Sequence, residues 1–126
     1  MNHIPDDKAS TAPNFKLTEF KCKCCGVAKI NPELLRALQE LRDNVGAPIR
    51  IISGYRCFNH NAAVHGAKKS QHLLGNAADI TIEGMSQEDV LKEAEKIEAF
   101  NNGGLGLYKR FVHCDVRGHK ARWAGK

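Results

Sequence analysis

Two short runs, Ile49-Arg50-Ile51-Ile52-Ser53-Gly54 and Ala77-Ala78-Asp79-Ile80-Thr81-Ile82, enclose a polar stretch, 55–75, rich in Asn, His and Gly. The β-branched content of each run reads as a strand. The stretch between them has no sustained strand alternation of its own. A chain of 126 residues allows one domain with one core. Inside such a domain, a connection longer than about 12–15 residues is uncommon and is usually functional or disordered. The fold must therefore close around a long polar loop whose side chains are of the types that do chemistry.

Local signals place the remaining elements. Residues 1–13 are polar, contain Pro5 and Pro13, and read as a flexible lead-in, with ordered chain starting at Phe15, Leu17 and Phe20. Residues 31–45 read as a helix: Asn31 is a good N-cap, Pro32 suits the first turn, and Leu34, Leu38, Leu41 and Val45 form one apolar stripe. Gly46 and Pro48 stop it. Ser86 opens a second amphipathic helix to about residue 99, with Val90, Leu91, Ala94 and Ile97 inward. Residues 105–108 and 111–116 read as a hairpin pair. The expected fold is a small single α+β domain over residues 14–126, its sheet mainly antiparallel and its helices packed on one face.

Composition narrows the classes further. No apolar run approaches the ~20 residues that cross a bilayer, so membrane insertion is not expected. The first eight residues hold no apolar core of a secretory signal. With five cysteines, an odd number, this points to synthesis in a reducing cytosol and against a complete disulfide framework. The net charge of +5 suits an anionic partner, and Arg117, His119, Lys120, Arg122 and Lys126 hold much of it in a basic tail interrupted by Trp123. Nucleic acid is not expected, because aromatic residues are not interleaved with the Lys/Arg positions.

The chemistry-bearing residues fall on strand faces. In Phe111-Val112-His113-Cys114-Asp115-Val116 the alternation puts Val112, Cys114 and Val116 toward the core and His113 and Asp115 on the other side. On 79–82, Ile80 and Ile82 take the core side and Asp79 the opposite one. His72 lies seven residues before Asp79, with Gly75 between them to turn the chain. If the two strands are sheet neighbours, His72, Asp79 and His113 converge on one open face. Two imidazoles and a carboxylate are a ligand set for Zn²⁺ that leaves a position for water. Histidine and aspartate on strands also serve as hydrogen-bonded structural residues, and spacing alone does not separate the two roles.

Ser70-Gln71-His72-Leu73-Leu74-Gly75-Asn76-Ala77-Ala78-Asp79 matches the S-x-H-x-x-G-x-A-x-D pattern. It resembles the zinc D-alanyl-D-alanine peptidases, a family with the hedgehog/D,D-peptidase fold that includes phage endolysins. Ser53-Gly54-Tyr55-Arg56 upstream and Phe111-Val112-His113-Cys114-Asp115 downstream extend the resemblance over about residues 15–123. The resemblance implies one Zn²⁺ held by His72, Asp79 and His113. It also implies hydrolysis of the peptidoglycan stem or cross-link, either as a D-Ala–D-Ala carboxypeptidase or as an L-Ala–D-Glu-type endopeptidase. The expected protein is a monomer made in the cytoplasm that acts on the wall after release, either as a phage-type lysis or virion enzyme or as a bacterial wall-remodelling peptidase. The alternative from a different class is a zinc-stabilised wall-binding or virion domain that keeps the fold without catalysis.

Peptide hydrolysis needs a base beside the activated water. Asp115 shares a strand face with His113 and is the candidate; the competing reading is a carboxylate that orients His113 or pairs with Arg117. Many members of the family carry an acid three residues before the last zinc histidine, or a histidine two before it. Here those positions are Arg110 and Phe111. The resemblance implies a substrate-positioning role for Arg56, whose guanidinium can hold a carboxylate bidentately; a surface ion pair is the alternative. Ser70 is expected to support substrate or close the loop. His65 is a cleft or solvated histidine, and His3, His60 and His119 carry no expected task. Cys22, Cys24 and Cys25 could hold a second metal, but a structural zinc would want another knuckle and Cys57 stands alone in sequence, so reduced thiols are expected. Cys114 on the core face is not expected to act as a nucleophile.

Overall fold

The computed structural model describes residues 8–9, 12–64, 66 and 70–125; His3, His65, Lys126 and most of the lead-in lie outside the described residues. Within the lead-in, β1 (Lys8–Ala9) pairs antiparallel with β2 (Ala12–Lys16), so regular structure begins ahead of Phe15. A 3-10 turn at Leu17–Phe20 follows, and Phe15 and Phe20 are both buried with their rings tilted against each other.

Helix α1 (Pro32–Val45) has the caps its sequence encodes. Asn31 Oδ1 accepts the Glu33 N–H at 2.9 Å, and Gly46 closes the C-terminus at φ 66°. Leu34, Leu38 and Leu41 are buried along the predicted stripe. Then come β3 (Ile49–Ser53), α2 (Phe58–Ala63), a 3-10 turn at Gln71–Leu74 and β4 (Ala77–Ile82). The polar stretch therefore contains two short helical segments that hydrophobic periodicity did not register, because neither is long enough to repeat a stripe. The chain ends with α3 (Gln87–Ala94), α4 (Glu98–Asn101), β5 (Gly104–Leu107), β6 (Val112–Asp115) and β7 (Ala121–Ala124).

The main sheet has the order β3-β4-β6-β5-β7, antiparallel except for the parallel β5–β7 pair. Two differences from the sequence reading have local causes. The helix expected to reach about residue 99 is two helices, because Ile97 turns to φ −88°, ψ 119° and drops its side chain into the core. The basic tail supplies an edge strand, β7, whose partner β5 alternates glycine with leucine and so gives no side-chain signal of the pairing.

On the core face, Ile80, Ile82, Val112 and Cys114 meet Leu34, Leu38 and Leu41 of α1, Val90 and Ala94 of α3, and Phe100 of α4. Each large apolar side chain buried there contributes roughly 1.5–3 kcal/mol. Helices α1, α3 and α4 thus cover one face of the sheet, and α2 sits with the Gln71–Leu74 turn by the other. No helix among the described residues is long and apolar enough to cross a membrane.

Candidate metal centre

Strands β4 and β6 are neighbours, and Asp79 stands directly opposite His113 in the ladder. Both side chains leave the face opposite Ile80 and Val112. His72 arrives from the Gln71–Leu74 turn, which Ser70 caps by accepting the His72 N–H at 3.2 Å and which Gly75 ends. The three side chains are buried, with His72 2%, Asp79 3% and His113 7% exposed. One carboxylate oxygen joins them: Asp79 Oδ1 lies 3.2 Å from His72 Nε2 and 3.1 Å from His113 Nδ1.

The other ring nitrogens decide what this junction is. His72 Nδ1 lies 2.7 Å from the Gly54 carbonyl oxygen, which can only accept, so Nδ1 carries the hydrogen. In the neutral ring, Nε2 then presents a lone pair to Asp79. His113 repeats the pattern with its nitrogens exchanged. Its Nε2 donates to Asp115 Oδ2 at 2.7 Å, which leaves the Nδ1 lone pair toward Asp79. Two nitrogen lone pairs and a carboxylate oxygen thus aim at one point, an arrangement that requires a cation or two extra protons. Ligands about 2.0–2.1 Å from a tetrahedral zinc stand about 3.3 Å apart, and the two edges that meet at Asp79 Oδ1 match that spacing. The residues present fit a zinc ion.

Charged partners support the arrangement. Burial pushes the Asp79 carboxyl up, but the adjoining His113 and His72 rings outweigh it and hold the group below the usual carboxylate range. Burial disfavours charge on His113, yet Asp115 and Asp79 raise its value above the ordinary histidine one. Asp115 is itself fully buried, and its contacts with His113 and Arg117 overcome that burial and hold it low.

Arg56 lies in the site rather than on the surface. Its Nη2 donates to Asp79 Oδ2 at 3.1 Å, its Nε to Ser53 Oγ at 3.1 Å and its Nη1 to Asn61 Oδ1 at 3.3 Å. This engages the Asp79 oxygen that the histidines do not. Asp115 sits behind His113, on the ring nitrogen facing away from Asp79. Its Oδ1 accepts from Gly104 N at 2.8 Å and Arg117 Nε at 3.0 Å, and its Oδ2 accepts from Arg117 Nη2 at 2.7 Å. Gly104 permits this, since a Cβ there would collide with the Asp115 carboxylate. His119 is exposed and His60 half-buried, and neither belongs to the group of three.

A cleft of about 420 Å³ opens over the centre, and Ser70, Arg56 and Arg117 line it. Tyr108 and Trp123, which no motif in the sequence marks, form another wall. Trp123 Nε1 donates to the Tyr108 hydroxyl at 2.8 Å, its ring lies 5.0 Å from that of His113, and the Arg117 guanidinium stacks over it. The one signal for this wall was Gly106 on β5: a side chain there would occupy the space of the Trp123 indole.

Cys114 lies where strand parity puts it, and Cys57 does not stand alone as it does in the sequence. Cys114 is fully buried, donates to the Ala78 carbonyl at 3.3 Å, and burial pushes its thiol well up, as suits a residue of the core. Cys57, isolated in sequence, lies beside Cys22 and Cys25. Burial raises the Cys22 thiol, but N–H groups of Cys57, Cys25 and Cys24 prevail and bring it down to about 6.

A sequence model described as Peptidase M15 matches residues 13–115. The peptidoglycan L,D-endopeptidase MepK of Escherichia coli K12 is 36% identical over 99 residues, which are 71% of this chain and 53% of that protein. The probable peptidoglycan L,D-endopeptidase MepK of Haemophilus influenzae is 33% identical over 109 residues, 79% of this chain and 56% of its own length. The chain spans about half the length of these curated relatives. The matched region takes in all three residues of the His–Asp–His centre together with both strands and the turn that carry them, and the chain belongs to the peptidase M15 family.

Proposed function

We propose that this chain hydrolyses a peptide bond between an L- and a D-residue in the peptidoglycan stem or cross-link, using one zinc ion held by His72, Asp79 and His113. The observation that carries this reading is the meeting of two imidazole lone pairs and a carboxylate oxygen under a cleft. The similarity to proteins named peptidoglycan L,D-endopeptidases favours the L–D bond over D-Ala–D-Ala. When bound, zinc supplies Lewis acidity that polarises a carbonyl and makes a water nucleophilic near neutral pH.

The chain's own groups do the rest. The Gly54 carbonyl and the Asp115 carboxylate fix the two rings in the tautomers that ligation needs. Arg56 holds the second oxygen of Asp79 and, with Arg117, makes the cleft cationic toward the carboxylates of a stem peptide. Tyr108 and Trp123 give the peptide a flat wall to lie against. Asp115 acts as a positioning residue and not as the base, since both its oxygens are engaged and it is fully buried. Ser70 closes the turn that presents His72. The +5 charge aids adsorption to an anionic wall.

The test is mass spectrometry of fragments released from purified peptidoglycan by the zinc-loaded chain, with and without a chelator. Fragments ending at an L–D bond, suppressed by the chelator, are expected. Wall binding without any release, zinc being retained, would overturn the enzymatic reading in favour of a zinc-stabilised binding domain.

A further inference from the structure

A second group of metal-binding side chains lies outside the His–Asp–His centre, and nothing in the peptide chemistry above uses it. Cys22, Cys25 and Cys57 bring their sulfurs within 4.8 Å of one another. The first two belong to Cys22-Lys23-Cys24-Cys25-Gly26, a C-x-x-C-G turn. Its backbone is closed by Cys22 N to Val27 O at 2.7 Å and Gly26 N to Cys22 O at 2.9 Å, with Lys21 and Ala28 bridged across its base. Gly26, at φ 76°, takes the left-handed turn that sends the chain back. Such a turn presents two thiols on one side, as one half of a structural zinc site does.

The other half comes from across the fold. Cys57 caps α2, where its sulfur accepts the His60 N–H at 3.4 Å, and its own N–H donates to Cys22 Sγ at 3.4 Å. Backbone N–H groups aimed at sulfur favour thiolates, the form that binds metal. Cys24, in the same turn, is exposed and stands outside this group of three, so it completes the set by turning its side chain inward. Thiolates at ~2.3 Å from a tetrahedral ion stand ~3.8 Å apart, so a small contraction of the three sulfurs with rotation of Cys24 toward them closes a coordination shell. A set of four sulfurs is soft, which suits Zn²⁺ and excludes Mg²⁺ or Ca²⁺.

We infer that Cys22, Cys24, Cys25 and Cys57 form a structural zinc site, separate from the His–Asp–His centre, that ties the 22–26 turn to the start of α2. The tie bears on the cleft. Cys57 follows Arg56, whose backbone N–H bonds the His72 carbonyl at 3.1 Å and whose guanidinium holds Asp79. A fixed Cys57 therefore fixes the segment that carries Arg56. The site also removes the liability of two exposed thiols, Cys24 and Cys25.

The experiment measures metal content of the full chain purified under reducing conditions with zinc, for wild type, His113→Ala and Cys57→Ser. Two zinc ions per wild-type chain and one in each variant are expected. With cobalt in place of zinc, the intense sulfur-to-metal charge-transfer band should persist in His113→Ala and vanish in Cys57→Ser. Thiol titration of native wild type serves if Cys57→Ser does not fold: four cysteines should react slowly until a chelator is added. One zinc per chain, lost entirely in His113→Ala, with thiols that react equally fast with and without chelator, would overturn the inference. So would a mass two hydrogens below that of the reduced chain, which would mean a disulfide. The outcome is independent of the peptidase reading, since a chain with a cobalt–thiolate band and no peptidoglycan turnover would sink only the latter.

Discussion

Ala78, Ile80, Val112 and Cys114 leave one face of the β4–β6 pair; Asp79, His113 and Asp115 leave the other, and all seven are buried. On the first face the requirement is volume, and the neighbours are leucines, a phenylalanine and small aliphatic groups. On the second face each group needs a partner of opposite character, because an unpaired buried charge is severely destabilising. That face supplies a run of neighbours: Arg56 on Asp79, Asp79 beside His113, His113 on Asp115 and Asp115 on Arg117. The run breaks its hydrogen-bonding logic at one place, where ring lone pairs face Asp79 Oδ1. The difference between the faces teaches that equal burial has two meanings here, a packed core and a site prepared for a cation.

Substitutions on the two faces should separate those meanings. The largest effect is expected from His113→Ala, which removes a ligand: zinc at this centre and all peptidoglycan turnover should be lost by metal analysis and fragment assay, while His119→Ala leaves both intact. Retained activity in His113→Ala would break the distinction between the faces.

Asp115→Asn should act through His113. Removing a carboxylate that orients a ligand histidine weakens metal binding by about 10–100-fold, measurable by competition with a chromophoric chelator. Turnover should return toward normal at saturating zinc if Asp115 only positions the ring. A deficit in kcat that persists at saturation would mean the carboxylate works as a base.

Acid gives a smaller, graded effect of known sign. His113 must be neutral to ligate, and in the metal-free chain Asp115 and Asp79 raise its value above the ordinary histidine one against the opposing effect of burial, with Arg117 and Arg56 as the cations facing those carboxylates. Protons therefore compete at higher pH than they would for an ordinary histidine, and zinc affinity at this centre should fall by about tenfold per pH unit below the His113 value. Equilibrium dialysis across pH 5–8 reads it, and a flat profile would contradict neutral-imidazole ligation. The smallest effect belongs to the apolar face: Ile80→Val should cost about 0.5–1.5 kcal/mol in denaturant unfolding and leave zinc affinity unchanged.

The parts of this architecture that were legible in the sequence are those fixed by neighbours along the chain. Asn31, Pro32 and Gly46 mark α1 at both ends, and alternation at Val112, His113, Cys114 and Asp115 assigns the two faces of β6. Strand parity also placed Asp79 with His113, given that β4 and β6 adjoin. Three features escaped because long-range geometry creates them. Parity sets Asp115 on the same face as His113 but cannot say which ring nitrogen it meets. The pairing of β7 with β5, which delivers Trp123 to the cleft, depends on Gly106, where any side chain would occupy the space of the indole. Cys57 looked solitary because its partners lie more than thirty residues away, as its 35-residue separation from Cys22 shows.

The central claim is that His72 Nε2, Asp79 Oδ1 and His113 Nδ1 share one zinc ion. Anomalous X-ray scattering at the zinc absorption edge, from crystals of the reduced, zinc-loaded chain, tests it most directly. The account predicts a peak bonded to those three atoms, with His113 Nε2 still on Asp115. A strong dataset with no peak between them, and both rings merely hydrogen-bonded to Asp79, would contradict it.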